Sequence, residues 1–447
     1  MAIKAAPPFD LEQLGARLPG ANIAQVKGVF SAEQGTRYLH WDQLRRKPPP
    51  EGVTHHEWWQ LIKLARLPLR HHLPLRDPSS EAFTFGMTDT VQRHVHEIDR
   101  DASGRIELPE DVTNKATRDR YIVSSLIEEA IRSSQLEGAS TTRQVAKEMI
   151  RTKRAPRTVS ERMILNNFHA MEWVREHSTM DLTAARIAEL HTVVTHDTLD
   201  VADAAGRFRR ADEDIRVIDR GTGDVVHTPP PADLLPARME DLCNFANAAT
   251  ASEPFVHPVV RAILIHFWLA YDHPFVDGNG RTARALFYWA MLKQGYWLTE
   301  LLSISRAIKQ ARAQYDRAFL YTETDENDAT YFVLNQLKVL RTAIDELFVY
   351  LRRKAQEVRD LEQQIQRRDD LNHRQLALLG HAMRHPDERL TIEGHQMTNR
   401  VVYQTARTDL LGLVEHGFLE QSKLGKKMYF TPVRDLARRL QAVPGKR

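Results

Sequence analysis

Cysteine is almost absent from this sequence, since Cys243 is the only one among 447 residues. No disulfide can therefore form within the chain, which is typical of proteins kept in a reducing compartment. The first ten residues, MAIKAAPPFD, also lack the apolar core of a secretory signal. Together these absences predict a cytoplasmic protein.

Long apolar runs and a large charge of one sign are missing as well. The longest apolar stretch, residues 259–271, carries Arg261 and His266 and is too short to cross a bilayer, so we expect no membrane partner. The formal net charge is only +3, which gives no field over the whole protein that would attract nucleic acid. With 42% hydrophobic residues and no internal repeat, the chain suits a globular protein of about two to four domains.

What is present is a dense run of chemically active residues between two helix-like segments. The run reads HPFVDGNGRTAR from His273 to Arg284. Before it, residues 258–271 have apolar side chains at helical spacing, and after it residues 282–294 repeat that spacing and stop at Gly295. The pattern predicts a tight loop that leads into the first turn of a helix.

This position makes the loop a candidate site for a bound anion. The first N–H groups of a helix have no partner within the helix, and the helix dipole favours negative charge there. We expect Gly278 and Gly280 to let the backbone turn sharply and approach a ligand closely. Arg281 and Arg284 are three residues apart, so both can point from one helix face toward the same ligand.

Two further side chains of the run supply a base and a metal ligand. Asp277 offers a hard oxygen, and Mg²⁺ typically takes one or two carboxylates together with substrate phosphates. His273 is the group of the run that titrates near neutral pH, so it is the candidate general base. A base, a carboxylate, a phosphate cradle and two arginines predict a nucleotide-dependent transfer reaction that needs no Ser or Cys nucleophile.

The run resembles the signature of Fic-domain proteins, H-x-F-x-[DE]-G-N-G-R-x-x-R, at every fixed position. The resemblance implies a helical Fic core and the Mg²⁺-dependent transfer of AMP from ATP to a Ser, Thr or Tyr hydroxyl of a target protein, itself included. It also implies that His273 takes the hydroxyl proton and that Asp277 holds Mg²⁺. The α- and β-phosphates would be held by Gly278, Asn279, Gly280 and Arg281, and the γ-phosphate by Arg284.

An upstream segment resembles the inhibitory motif of the same family. Apolar periodicity over residues 121–136 predicts a helix, which Gly138 would cap. Ser133, Glu137 and Gly138 fill the pattern [ST]-x-x-x-E-[GN]. An acid is poorly placed at a helix C-terminus, so Glu137 needs a partner. The resemblance implies that this partner is Arg284 and that Glu137 inhibits the enzyme. A rival reading is that Glu137 helps to remove AMP from a modified protein.

The whole chain is predicted to be mainly α-helical and to have four parts. They are an accessory N-terminal region (1–87), a Fic domain (88–352) with the inhibitory helix near 121–138, a connecting helix (353–370) and a winged helix-turn-helix-like domain (371–447). The stretch up to about Asp77 is rich in Pro, His and Trp and is expected to be irregular. Residues 215–218 and 225–227 flank the turn Arg220–Gly223 and predict a hairpin. Such a hairpin, the flap, pairs with the target segment in Fic proteins.

The last part is predicted as three helices followed by a two-stranded hairpin. Arg400, Gln404 and Arg407 would face outward from the third helix, and a basic turn would present Lys423, Lys426 and Lys427. Such residues can contact DNA phosphates or bases. The alternative is a packing or dimerisation domain, so DNA and a second copy of the chain are both candidate partners. A DNA-binding regulator whose Fic core senses a nucleotide is therefore the second rival to AMP transfer.

Overall fold

The computed structural model describes residues 3–12, 14, 30–102, 115–219, 221–249, 254–366, 370–384, 389–424, 427–433 and 435–441. Over these ranges the chain is mainly α-helical, and its strands form two-stranded antiparallel hairpins. Within the same ranges, no helix has the length and apolar character needed to cross a membrane. The chain divides into two compact units, which we call unit 1 (1–106 and 122–345) and unit 2 (107–121 and 346–447). The four-part division stays a prediction.

The first half of unit 1 supplies the accessory segment, the predicted inhibitory helix and the flap. Its helices are α1 Trp41–Leu44, α2 His55–Arg66, α3 Asp89–Ala102, α4 Lys115–Leu136, α5 Arg143–Thr152, α6 Val159–Glu176 and α7 Ala184–Thr195. Its strands are β1 Arg70–Arg76, β2 Ala82–Gly86, β3 Val217–Ile218 and β4 Val225–His227. Helix α4 begins in unit 2 and ends in unit 1.

The remaining helices begin with α8 Leu235–Asn247, α9 Pro258–Asp272, α10 Asn279–Lys293, α11 Ile304–Gln310, α12 Arg312–Glu323 and α13 Thr330–Gln366. They continue in unit 2 as α14 His373–Arg384, α15 Ile392–Asn399, α16 Tyr403–Glu415 and α17 Leu436–Gln441, with strands β5 Leu419–Leu424 and β6 Lys427–Pro432. Short 3₁₀ helices lie at Leu67–Leu69, Ala202–Ala204, Ala232–Leu234 and Trp297–Leu301.

The expectation of an irregular N-terminal stretch is wrong, because α1, α2 and β1 lie within it. Helix α2 begins with a capping box, in which the side chain of Thr54 accepts from the N–H of Glu57 and that of Glu57 accepts from the N–H of Thr54. Trp58 and Trp59 then enter a small core with Leu39. Local capping and aromatic burial therefore outweigh the effect of the proline-rich composition.

A buried ion pair joins this segment to the loop before α13. Nζ of Lys63 lies 2.6 Å from Oδ1 of Asp325, and both side chains are fully buried. The guanidinium of Arg66 stacks 3.5 Å from the ring centre of Tyr38 and donates to the hydroxyl of Tyr331. A buried charge is stable only when it is paired, so these contacts fix α2 to the loop before α13 and to the start of that helix.

Helices α9 and α10 form the centre of unit 1 and flank the candidate site. Helix α9 is buried on nearly every side, as expected for a helix that is apolar all round. Helix α10 begins at Asn279, three residues before the predicted start at Thr282. It ends where expected, since Gly295 follows with a φ of 82°.

Unit 2 contains the predicted order of three helices and a hairpin. Its core includes Leu379, Leu410, Leu413 and Phe430, all fully buried. The carboxylate of Asp409 on α16 accepts hydrogen bonds from Asn372 and Arg374 and lies 3.1 Å from His395 Nε2, which joins α14, α15 and α16. In the hairpin turn, Gly425 and Lys426 lie outside the described residues. The predicted connecting segment is continuous with α13, which runs unbroken to Gln366.

Candidate active site

The signature run forms a closed loop between α9 and α10. His273 ends α9 with a φ of 47°, a left-handed conformation that histidine adopts more readily than most residues. Gly278 precedes α10 with a φ of 83°. The side chain of Asn279, the first residue of α10, accepts from the N–H of Phe275 at 2.9 Å and donates to the Phe275 carbonyl at 2.8 Å. This pair of bonds fixes the shape of the loop.

One sequence-based assignment, the sharp turn at Gly280, changes with this geometry. The backbone turns at Gly278 but not at Gly280, which lies inside the first turn of α10. The side chain of Asn279 makes two hydrogen bonds within the loop, and its backbone N–H, at the first position of α10, is a further donor for an anion. Gly280 is needed for space, since a Cβ there would lie 2.3 Å from Oε1 of Glu137.

His273 is held as a neutral imidazole by its position. Its Nδ1 lies 3.2 Å from the carbonyl oxygen of Ala270, which can only accept, so Nδ1 carries the proton and Nε2 the lone pair. Burial lowers the pKa of His273 to about 4, with contributions from the positive charges of His227 and Arg209. At neutral pH the side chain can therefore accept a proton.

Asp277 is the exposed carboxylate of the loop. Its side chain is 61% exposed, and its Oδ1 accepts from the N–H of Gly278 at 2.6 Å. Among the described residues, no group of three or more His, Cys, Asp or Glu side chains could hold a metal ion. Mg²⁺ can use a single protein carboxylate when phosphates and water fill its other positions, so Asp277 fits that metal.

Arg281 lies behind the loop and is almost fully buried. Its Nη1 donates to the carbonyl of Val194 at 3.0 Å, and its Nη2 lies 3.5 Å from Oδ2 of Asp277. In the part of the chain that the structure describes, its Nε has no hydrogen-bond partner. Burial lowers the pKa of Arg281.

Arg284 contacts a different set of protein groups from Arg281. Its Nε donates to Oγ of Ser133 at 2.9 Å, and its Nη2 donates to the carbonyl of Ser133 and to Oε1 of Glu137 at 2.8 Å. The pairing of Glu137 with Arg284 that the motif implied is therefore present. Gly138 follows with a φ of 102°.

Glu137 is ionised in this position. Burial acts to raise its pKa, but the charges of Arg284, Arg281 and Arg312 outweigh burial and hold the pKa below its ordinary value. Nη1 of Arg312 also donates to the carbonyl of Leu136, at the end of the same helix. The end of α4 is thus held by positive charge from α10 and α12.

His191 and Arg209 support the loop, and the sequence analysis missed both. The N–H of Gly206 donates to Nδ1 of His191, so Nε2 of His191 carries a proton and donates to the carbonyl of Asp277 at 2.8 Å. The ring of His191 stacks on Phe275 with centroids 3.7 Å apart. Arg209 donates through Nε to the carbonyl of His273 at 2.9 Å.

A cavity of about 300 Å³ lies beside the loop. Asp277 forms part of its wall, and the other lining residues are Thr198, Leu199, Asp200, Val201, Ala204 and Val276. The exposed carboxylate of Asp277 can therefore be reached from an open space.

The predicted hairpin is present as β3 and β4, with Arg220 of its turn outside the described residues. Val217 pairs with His227, and Ile218 pairs with Val225. Ile218 is 53% exposed and Val225 is 48% exposed, so the hairpin presents apolar side chains to solvent.

Residues 181–291, from just before α7 to α10, match the model of the Fic/DOC family. The proteins named protein adenylyltransferase Fic from Drosophila sechellia and Drosophila melanogaster are each 30% identical to this chain over 215 residues. The match covers 46% of this chain and 39% of each relative, so this chain spans about two-fifths of the length of these curated relatives.

Among solved structures, a Fic family protein from Desulfovibrio desulfuricans G20 superposes with a TM-score of 0.51. The two chains are 21% identical, and the superposition covers 78% of this chain and 97% of the other. This likeness shows that the mainly helical fold is that of the Fic structures.

Proposed function

We propose, from the match of residues 181–291 to the Fic/DOC family, that this chain is a protein adenylyltransferase, which transfers AMP from ATP to a Ser, Thr or Tyr hydroxyl of a protein. The observation that carries the proposal is one loop that holds a neutral base, an exposed carboxylate and a helix N-terminus, at His273, Asp277 and Gly278. The name of the fly relatives supports the same reaction.

In this reaction His273 takes the proton of the acceptor hydroxyl. Its Nδ1–H donates to the carbonyl of Ala270, so Nε2 is the atom that accepts the proton. The hydroxyl oxygen forms a bond to the α-phosphorus of ATP while the bond from that phosphorus to pyrophosphate breaks. Burial keeps His273 unprotonated at neutral pH, ready to act as the base.

The phosphates of ATP would lie against the start of α10. The first N–H groups of this helix, from Asn279 onward, are donors for anions. The Nε of Arg281 adds a buried donor without a partner among the described residues. An unsatisfied buried donor is costly, and a phosphate oxygen would satisfy it.

Asp277 is the residue that would hold Mg²⁺. A bound Mg²⁺ neutralises charge on phosphate oxygens during transfer. The carboxylate suits this role because it is exposed on the wall of the cavity and keeps Oδ2 available beside Arg281. The carbonyl of Asp277 is held by His191, so the side chain starts from a fixed backbone position.

Glu137 would act as an inhibitor by occupying Arg284. The charge-assisted bond between them, at 2.8 Å, takes the arginine nitrogen that the γ-phosphate would need. Oε1 of Glu137 also fills the space above Gly280 in the first turn of α10. ATP would then bind in a pose that does not favour transfer until Glu137 moves.

The flap would hold the target segment beside His273. A two-stranded hairpin with exposed apolar side chains can pair with an extended peptide through its backbone. Recognition of the backbone would allow targets with different side chains, and it agrees with self-modification as one of the reactions.

The test is to incubate the full chain and its Glu137→Ala variant with Mg²⁺ and ATP labelled at the α-phosphate. We expect incorporation into the protein itself or into proteins of a host lysate, with an intact mass increased by one AMP. If Glu137→Ala binds ATP but neither the chain nor any lysate protein gains AMP, the proposed reaction is wrong. Loss of AMP from a modified protein would instead support AMP removal.

A second function, DNA binding, is proposed for unit 2. The observation in its favour is a patch at the end of α15 and in the turn before α16, where Met397 is 80% exposed and Val402 is 67% exposed close in sequence to Arg400. Apolar and basic side chains together at the start of a helix can contact thymine methyl groups and phosphates in a DNA groove.

A further inference from the structure

One histidine, His227, attaches the flap to the helix that carries the catalytic base. Its Nδ1 lies 2.8 Å from Oε2 of Glu323, and its Nε2 lies 2.7 Å from the carbonyl oxygen of Tyr271. A carboxylate and a backbone carbonyl can only accept hydrogen bonds, whereas neutral imidazole has one donor. Both contacts are therefore hydrogen bonds only when His227 is protonated on both nitrogens.

The position of His227 joins three parts of unit 1. It is the last residue of β4, where it pairs with Val217 of β3. Tyr271 belongs to the last turn of α9, two residues before His273, and Glu323 is the last residue of α12. Only 9% of the His227 side chain is exposed, so water does not compete freely for these bonds.

The charges around His227 favour its protonated form. Burial acts to lower its pKa, but the hydrogen bond and charge of Glu323, the carbonyl of Tyr271 and the charge of Asp272 outweigh burial and raise the pKa above its ordinary value. Asp272 is itself paired with Arg238, with Nε to Oδ1 at 2.9 Å. The charge of His227 in turn helps to lower the pKa of His273, which is neutral near pH 7.

We infer that protonated His227 is a positioning residue, which fixes the flap beside His273, and that this attachment weakens when His227 loses its proton. Neutral His227 can donate to Glu323 or to the carbonyl of Tyr271, but not to both. A raised pKa in the folded state means that the attachment is complete below the ordinary histidine pKa of about 6.5 and is lost as pH rises through the raised value. The consequence for the acceptor protein rests on the proposed AMP transfer.

The attachment itself is tested without any activity, by hydrogen exchange of flap amides in the full chain. After correction for the intrinsic effect of pH, we expect protection of Val217, Ile218 and Val225 in the wild type to fall as pH rises above about 6.5. His227→Gln, which carries no proton to titrate, should have low protection at every pH. Glu323→Gln keeps an acceptor oxygen but no charge, so its transition should move to lower pH.

The control is His169→Gln, because His169 pairs with Glu172 on α6 as an exposed histidine–carboxylate pair without contact to the flap. Its protection profile should match the wild type. The inference is overturned if flap protection in the wild type does not change with pH, or if the Glu323→Gln transition stays at the wild-type pH. A purely structural role for His227 would leave that midpoint unchanged.

The functional consequence is measured in a Glu137→Ala background. His227→Gln should raise the KM for the acceptor protein by roughly tenfold, the effect of losing one charge-assisted hydrogen bond, while the KM for ATP stays the same. An equal rise in both KM values, or none, would contradict a role in placing the acceptor. If no AMP transfer occurs at all, the proposed function fails while hydrogen exchange still decides whether His227 attaches the flap.

Discussion

His273 combines two properties that substitutions can separate, a left-handed backbone and a free Nε2. We expect His273→Ala to lower AMP transfer by about 10²–10⁴-fold, because general-base catalysis contributes that range. Mg-ATP affinity should change little, since the start of α10 is untouched. Incorporation of labelled AMP in the Glu137→Ala background and calorimetric titration with Mg-ATP measure the two quantities.

A matched variant controls for the backbone conformation of His273. Asparagine tolerates a positive φ better than alanine does, so His273→Asn should keep thermal stability and still lose the base. Undiminished transfer by either variant would remove His273 from its assigned role. If His273→Ala loses activity and His273→Asn does not, backbone strain at position 273 is the cause.

The low pKa of His273 predicts activity in mildly acidic solution. The base works only when unprotonated, and its pKa of about 4 keeps it so at pH 5.5. With an ordinary histidine pKa of about 6.5, roughly nine-tenths of the base would be protonated at that pH. We expect the Glu137→Ala variant to lose less than about twofold in kcat between pH 7.5 and pH 5.5. A roughly tenfold loss, with the fold intact by circular dichroism, would contradict this.

At the residue scale, the signature run could be identified from the sequence because its residues are adjacent along the chain. The residues that were missed act on it from afar: His191 contacts the carbonyl of Asp277 across 86 positions, and Arg209 contacts that of His273 across 64. A lone His on a helix, or an Arg after Gly206, gives no local sign of such a partner. The contacts of the Asn279 amide with Phe275 likewise become visible only in the closed loop.

One substitution can break the contact between the end of α4 and α10, which is the ion pair of Glu137 with Arg284. Hydrogen bonds to charged groups are worth about 1.5–3 kcal/mol. Glu137→Ala should therefore raise productive ATP binding and self-modification by roughly one to two powers of ten. Folding stability should fall, because the buried Arg284 loses its paired charge and keeps only its bonds to Ser133. Initial rates of AMP incorporation measure the gain.

The arginine and a second glutamate make this test specific. Arg284→Ala also breaks the contact but would remove the proposed γ-phosphate ligand, so it should not gain activity, and the double variant should behave like Arg284→Ala. Glu128 lies on the same helix and pairs with Arg132 and Arg143. Glu128→Ala should therefore show no gain. Equal rates in Glu137→Ala and the wild type at saturating Mg-ATP would rule out inhibition by Glu137.

At the element scale, the sequence predicts that a helix exists more accurately than it predicts the residue at which the helix begins. Periodicity detected α10 only from Thr282, because its first turn carries Asn279, Gly280 and Arg281 rather than apolar side chains. The start depends on the positive φ of Gly278, which a pattern of side chains does not contain. Helix α2 was overlooked although its capping box, Thr54 with Glu57, is a local signal.

At the scale of the whole molecule, unit 2 has a core of its own. The cluster around Leu379, Leu410 and Phe430 consists of residues from 371 to 440, all within unit 2. The order of its elements followed from periodicity and turns, since helices of this length are set by local sequence. What this unit binds depends on surface chemistry, which its order of helices and strands does not determine.

The whole-molecule prediction is that unit 2 binds DNA through a small set of basic side chains. Arg400, Lys423 and Lys427 are exposed and Arg407 is partly exposed. If three or four phosphates are neutralised, affinity should fall by roughly 40- to 150-fold between 50 and 200 mM salt, because each contact releases counterions. Fluorescence anisotropy with a labelled duplex measures this dependence.

Three variants separate this binding from AMP transfer. Deletion of residues 371–447 should abolish DNA binding and leave AMP transfer in place, because the catalytic loop and its supports all lie in unit 1. Arg400→Gln with Arg407→Gln should reduce both the affinity and the salt slope, whereas Arg317→Gln, an exposed arginine of α12, should change neither. Binding that survives the deletion would place the DNA site outside this domain. Absence of DNA binding at 50 mM salt would instead indicate that the exposed side chains of Met397 and Val402 bind a protein partner. Exposed apolar surface that makes no phosphate contacts is typical of a protein–protein interface.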